Sequence, residues 1–424
     1  MIKGKIHMGI GFATGRTSFL NVLRAYIFHL RESHFLSKYN VLLSLYVAYD
    51  PAYQNTKKSD YDALTAEERE FFYECRFLGP EDIRQTLTAM IGEGVIDESE
   101  KDQLFGSGYA VQRNIIQFAA LRDRADYLVF LDDDEYPLCV TQSQPALLWS
   151  GQPILEEHLR CLQFSDYTNG YHCGYMAPIP SIDYDGILDE TMFRHFTDAM
   201  SSDVLKWESV VRDMENGGVT YADKNVLIER KVRLVEPENG AKFISGGNLG
   251  INLTRPRRVL PFYNPPGARG EDSILSTCLT DYTVKRIPVY TFHDGFGFYG
   301  SLLKGVLPLS LKKISLYDSA LITDRFYRAC LGWVRYKPLY TYLTQPEEYD
   351  RIMEESRERL EKSLPKVCAY FNRSEFRNLS EELQFYEKNV QSHYKEFRDA
   401  QRVWKKAVEK TVADGLAPQN PGSA

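Results

Sequence analysis

Apolar positions in the first third of the chain come in blocks with two rhythms. Ile6 to Phe12 is a short apolar run punctuated by glycine, and behind the hydroxyls of Thr17 and Ser18 the residues Leu20, Leu23, Ile27 and Leu30 fall at helical spacing. Val41 to Tyr49 is then apolar almost without a break and stops at Asp50-Pro51, as a strand buried on both faces of a parallel sheet does. These blocks predict a β-α-β unit. Residues 54–105 are polar and predict helix. Ile115, Ile116, Phe118, Ala119 and Leu121 lie on a predicted helix over 109–122, which leads into the apolar run Tyr127 to Leu131 and so to Asp132. The alternation predicts an α/β fold: a Rossmann-like, mostly parallel sheet flanked by helices, with ligands bound beyond the carboxyl ends of the strands, where Asp50 and Asp132 stand.

Residues 160–245 are mixed and rich in Gly, Pro and Tyr, and Lys242 to Asn252 and Val284 to Tyr290 give further strand-like runs. The α/β part is expected to span residues 1–305, followed by a helical region over 306–414 and a disordered tail over 415–424. Within the helical region Leu383, Tyr386, Val390, His393, Phe397, Ala400, Trp404 and Ala407 recur at alternating spacings of three and four, one stripe on one long helix. Such a stripe either packs on the α/β part or forms the seam of a homodimer.

Composition narrows the function classes. With 43% hydrophobic and 26% charged residues the chain reads as an ordinary soluble globular protein. Its net charge of -7 offers no basic field to a nucleic acid. The seven cysteines have neither Cys-x-x-Cys nor zinc-like spacing, which points to a reducing, cytoplasmic setting. The N-terminal apolar run lacks a cleavage site, and no stretch reaches the about 18 apolar residues of a membrane span. Peripheral contact with a membrane surface stays open.

Asp132, Asp133, Asp134 and Glu135 set four carboxylates in succession behind a hydrophobic strand, where a divalent cation or solvent must offset their repulsion. Oxygen ligands of this kind suit Mg²⁺ or Mn²⁺ and leave coordination positions for phosphate oxygens. Asp183-Tyr184-Asp185 has the same spacing, but it follows Pro178-Ile-Pro180 instead of a strand and is read as a decoy. Gly246 and Gly247 let backbone approach a ligand closely or simply form a turn. Glu271-Asp272 precedes a helix start, where Asp272 either caps the helix or acts as a general base. His293 lies among aromatics, and Arg16, Arg113 and Arg269 are candidate phosphate contacts.

Taken in order, these segments resemble the GT-A glycosyltransferases. Arg113-Asn114 ahead of YLVFLDDDEYP is similar to the family's helix-to-DxD segment, Phe12 to Arg16 to its first base-binding loop, and Asp50 to its second-strand acid. Ser245-Gly-Gly-Asn-Leu-Gly250 looks like its glycine-rich loop, Gly270-Glu271-Asp272 like its xED motif, and His293 like its C-terminal metal-binding histidine. The resemblance covers residues 5–300 and leaves the C-terminal helices unmatched. The first loop lacks the family's common proline, and residues 54–105 form a longer connection than usual. What the resemblance implies is a metal-dependent transfer from a UDP- or GDP-sugar donor to a carbohydrate or other hydroxyl acceptor. Ala13, Thr14, Arg16, Asp50, Arg113, Asp132, Asp133, Gly246, Gly247 and Asn248 would then contact the donor. Asp132, Asp134 and His293 would hold Mn²⁺ or Mg²⁺, Asp272 would be the base of an inverting displacement, and Glu271 would touch the acceptor. The rival readings are a sugar-phosphate nucleotidyltransferase and a non-enzymatic assembly protein that pairs through its C-terminal helix.

Overall fold

The computed structural model describes residues 4–416 except 106–107, 144–145, 185, 201–204 and 316–319. Among them eleven strands form: β1 (Ile6–Thr14), β2 (Val41–Tyr49), β3 (Glu74–Leu78), β4 (Tyr127–Phe130), β5 (Glu135–Tyr136), β6 (Leu138–Ser143), β7 (Ala146–Gly151), β8 (Tyr167–Gly174), β9 (Arg233–Leu234), β10 (Leu249–Asn252) and β11 (Val284–His293). Nine make one sheet, ordered β3-β2-β1-β4-β10-β8-β11-β5 with β9 also on β11, while β6 and β7 form a separate hairpin.

The fold is α/β, but the sheet is mixed, which corrects the mostly parallel expectation. β3, β2, β1 and β4 run parallel, as do β8 and β11, whereas β10 enters antiparallel to both β4 and β8, and β5 and β9 pair antiparallel with β11. The reversal has a use. An antiparallel strand begins where its parallel neighbours end, so Leu249 at the start of β10 stands opposite Phe130 at the end of β4. The loop before β10 therefore opens beside Asp132. By the same logic β5 pairs its Glu135 with His293 at the end of β11.

Residues 54–105 are not all helix. They hold the short helices Lys58–Tyr61, Ala66–Glu70 and Lys101–Phe105, the longer Pro80–Gly92, and the edge strand β3. β3 (ECRFL) is half-buried and charged, as exposed edges tend to be, and so lacks an apolar run. β1, β2 and helix Tyr109–Arg122 fall where the apolar rhythm predicts them.

Four longer helices follow: Ala320–Thr344, Tyr349–Tyr370, Asn378–Lys388 and Val390–Leu416. The predicted single long helix is two, broken at Asn389. All eight stripe residues are buried inside the chain. Val403, Trp404, Ala407 and Val408 share a core with the helix Tyr109–Arg122 and β10, and the Trp404 indole donates to the Val259 carbonyl at 2.7 Å. The stripe is consumed by packing on the α/β part, so no face of it remains for a homodimer seam. The last helix reaches Leu416, past the predicted tail boundary, and residues 417–424 lie outside the described residues. No described helix is long and apolar enough to cross a membrane.

Candidate functional site

The chain leaves β4, and Asp132 to Asp134 turn sharply before β5 pairs with β11. Each of the four carboxylates meets a different partner. Asp132 accepts from Arg113 Nη2 at 3.0 Å. Asp133 is buried and accepts from the Thr14 hydroxyl at 2.5 Å and from Arg16 Nη1 at 3.1 Å. Asp134 accepts from the same Arg16 nitrogen at 2.8 Å and lies 3.2 Å from His293 Nε2. Glu135 is buried, 2.8 Å from His172 Nδ1, and accepts from the Thr291 hydroxyl at 2.9 Å.

The four acids ionise unequally. Burial and the adjacent Asp134 push the Asp133 carboxyl up to about 7 against the pull of Arg16 and Thr14. Burial also raises Asp132, opposed by Arg113. For Asp134 burial acts the same way, but His293 and Arg16 outweigh it and hold the carboxyl far below the usual range. Burial lowers the affinity of His293 for its proton, yet Asp134 and Glu135 more than compensate and lift it to about 9. Asp134 and His293 thus form an ion pair in this structure.

The predicted metal trio is not gathered. Among the described residues no group of three or more His, Cys, Asp or Glu side chains is arranged to hold an ion, because Arg113 claims Asp132. Asp134 and His293 alone of the trio stand side by side. His293 donates from Nδ1 to the Tyr175 carbonyl at 2.5 Å, which points Nε2 at Asp134, the orientation that an outer hydrogen bond gives to a ligating histidine.

The glycine loop before β10 presses on this cluster. A Cβ on Gly247 would stand 2.7 Å from Glu135 Oε2 and 2.8 Å from Asp132 Oδ2, and one on Gly246 would stand 2.6 Å from Arg113 Nη2. Only glycine permits so close an approach. From β8, Asn169 holds the loop by donating to the Gly247 and Asn248 carbonyls at 3.3 and 3.0 Å. Asp272 braces it from the other side: one oxygen accepts from the Gly246 N–H at 2.8 Å and the other from the Ser273 N–H at 2.9 Å. The N-cap of that helix is Gly270, with no side-chain cap hydrogen bond, so the capping reading of Asp272 is not realised and its carboxylate is turned to the glycine loop instead.

Several predicted donor contacts turn inward instead. Asn248, in the left-handed region at φ 49°, is fully buried and accepts from His158 Nε2 at 2.9 Å. Burial holds that imidazole neutral, lowering it to about 4. Arg113 spends each guanidinium nitrogen within the protein, on Glu271 at 3.1 Å, the Gly246 carbonyl at 2.7 Å and Asp132. Glu271, the predicted acceptor contact, is buried against it. Ala13 and Thr14 are buried in β1. Arg16 remains beside the acids, and Asp50 stays partly exposed at the end of β2, where it accepts from the Ala52 N–H at 2.9 Å. Tyr53, 43% exposed, covers Gly15 between them.

Of the decoy, Asp183 donates its N–H to the Tyr370 hydroxyl on the C-terminal helices, and Asp185 lies outside the described residues. Sequence reasoning missed His172 and Asn169 as partners of the site, since nothing in the local pattern of β8 marks them, whereas Glu135 was already singled out within the acidic run. Two clefts of about 460 and 490 Å³ flank the C-terminal helix near Trp404 and Ala407. They hold none of these acids, so the carboxylate cluster remains the candidate for chemistry. No protein-family model matches the chain, and no curated protein is significantly similar to it.

Proposed function

We propose that the chain is a metal-dependent glycosyltransferase of GT-A type, moving a sugar from a UDP- or GDP-sugar to an acceptor hydroxyl with Mn²⁺ or Mg²⁺. The observation that carries this reading is the convergence of five distant segments at the carboxyl ends of β1, β4 and β11. They are Arg16, Asp132 to Asp134, Gly246-Gly247, Asp272 and His293. Asp134 and His293 would hold the cation, with diphosphate oxygens completing its shell. When bound, the ion would neutralise charge on the departing diphosphate. The Gly246-Gly247 backbone, packed against Arg113, Asp132 and Glu135, would border the donor sugar, and Asp272 would take the acceptor proton as the new C–O bond forms and the bond to diphosphate breaks.

The test is a screen of UDP- and GDP-sugars with Mn²⁺, scored by release of nucleoside diphosphate and by calorimetry on Asp134→Asn. The variant should lose turnover and Mn²⁺-dependent nucleotide binding while keeping the melting temperature within a few degrees. Release of pyrophosphate would instead identify a nucleotidyltransferase. If no nucleotide binds with Mn²⁺, an assembly role is left. Product NMR reports inversion or retention at the anomeric carbon.

A further inference from the structure

Arg16 and Arg113 are both ion-paired with carboxylates, but two other arginines near the site are not. Arg269, just ahead of Gly270-Glu271-Asp272, lies over the Tyr109 ring with its guanidinium carbon 5.7 Å from the centroid. Arg325, in the first turns of helix Ala320–Thr344, lies 4.8 Å over Phe296, three residues past His293. Neither forms an ion pair or side-chain hydrogen bond among the described residues. Neighbours on the same helix behave otherwise: Arg328 pairs with Asp324 at 2.7 Å, and Arg335 grips Glu382 through two nitrogens.

Both flank the site, Arg269 three residues before Asp272 and Arg325 over Phe296, which follows His293 by three residues. Burial disfavours the Arg325 cation, and its charge is felt by Arg16, Asp134, Tyr53 and Arg269. Tyr109, beneath Arg269, lies within the same field as Asp133, Tyr53 and Arg16. Two forked donors lying over aromatic rings, near a third cation and with no ion pair of their own among the described residues, match the planar recognition of phosphate or carboxylate.

We propose that Arg269 and Arg325 form a clamp for an anionic group on the acceptor, a phosphate or carboxylate, and that the C-terminal helical region thereby completes the site. This rests on the glycosyl-transfer reading. In that reading the charge of the donor diphosphate is met by the cation on Asp134 and His293 and by Arg16. Arg269 adjoins Asp272, so an anion held there would bring a nearby hydroxyl to the base.

The experiment titrates a hexose phosphate, and the same hexose without phosphate, into protein saturated with Mn²⁺ and UDP or GDP. Only the phosphate form should bind. Arg269→Met and Arg325→Met should each weaken it at least about tenfold, as loss of a charged hydrogen bond does, and Arg325→Lys should recover part of the loss. Nucleotide affinity should stay within about twofold, and melting curves check folding. Absence of binding to the unaltered protein, unchanged affinity in both Met variants, or an equal fall in nucleotide affinity would each overturn the acceptor clamp. Arginine-dependent binding of the hexose phosphate in a protein that binds no nucleotide with Mn²⁺ would sink the glycosyl-transfer reading and leave the anion clamp standing.

Discussion

Arg113 holds the site together at the scale of single residues. It is buried, stacked near Phe130 and Phe262, and bonded to Asp132, Glu271 and the glycine loop. Removing one member of a buried ionic network strands the others, at a cost of about 3–5 kcal/mol. Arg113→Met should therefore lower the urea midpoint markedly, and a midpoint within error of the parent would contradict this account. In the proposed transfer Asp272 would carry two duties. Asp272→Asn should cut kcat by ~10² to 10⁴ as a lost base does, and because the same carboxylate anchors Gly246, donor affinity should fall as well. A donor Kd unchanged in that variant would show that the brace is dispensable. The acid run, the glycine pair and His293 were legible because few residue types serve that chemistry and because they occur in a telling order. The inward turn of Asn248, Thr14 and Arg113 was not. Whether a polar side chain faces a ligand or a buried partner depends on residues 90 to 158 positions away.

At the scale of elements, uninterrupted apolar runs and clean helical spacing identified β1, β2 and helix Tyr109–Arg122. The edge strand β3 escaped because a half-buried strand carries no run, and the reversal at β10 escaped because direction within a sheet has no local signature. That reversal nevertheless builds the site. The C-terminal helix is tied to the α/β part by a charged contact as well as by its apolar stripe: Arg402 and Lys406 both donate to Glu100. Burial works against this carboxylate, but the two cations win and hold it at about 2. Its folded value lies below its unfolded one, so the stabilisation is complete above about pH 5.5 and fades as pH falls through 4.5 toward 2. The melting temperature gap between the parent and Glu100→Gln should thus be smaller at pH 4 than at pH 6. A gap that widens on acidification would refute the linkage.

For the whole molecule, the helical region is neither an appendage nor a tail. Its helices bury residues of the segment 179–210 on one side and of the main sheet's core on the other, and through Arg325 it reaches the site. Deleting residues 376–424 should expose Leu253, Val259 and Leu279, which now share a core with Val403 and Trp404, and the product should aggregate in light scattering. A truncated chain with unchanged solubility and melting temperature would show the helices to be independent. The contact between Glu100 and Lys406 has a further consequence, for the order in which the molecule is made. Its partners are 306 residues apart, a stretch that takes a ribosome roughly 15–60 s to polymerise. During that interval the second core lacks its lid and the cleft its outer wall, and chaperones that shield apolar surface have a defined window in which to act. The fold closes only when the helix Val390–Leu416 has emerged.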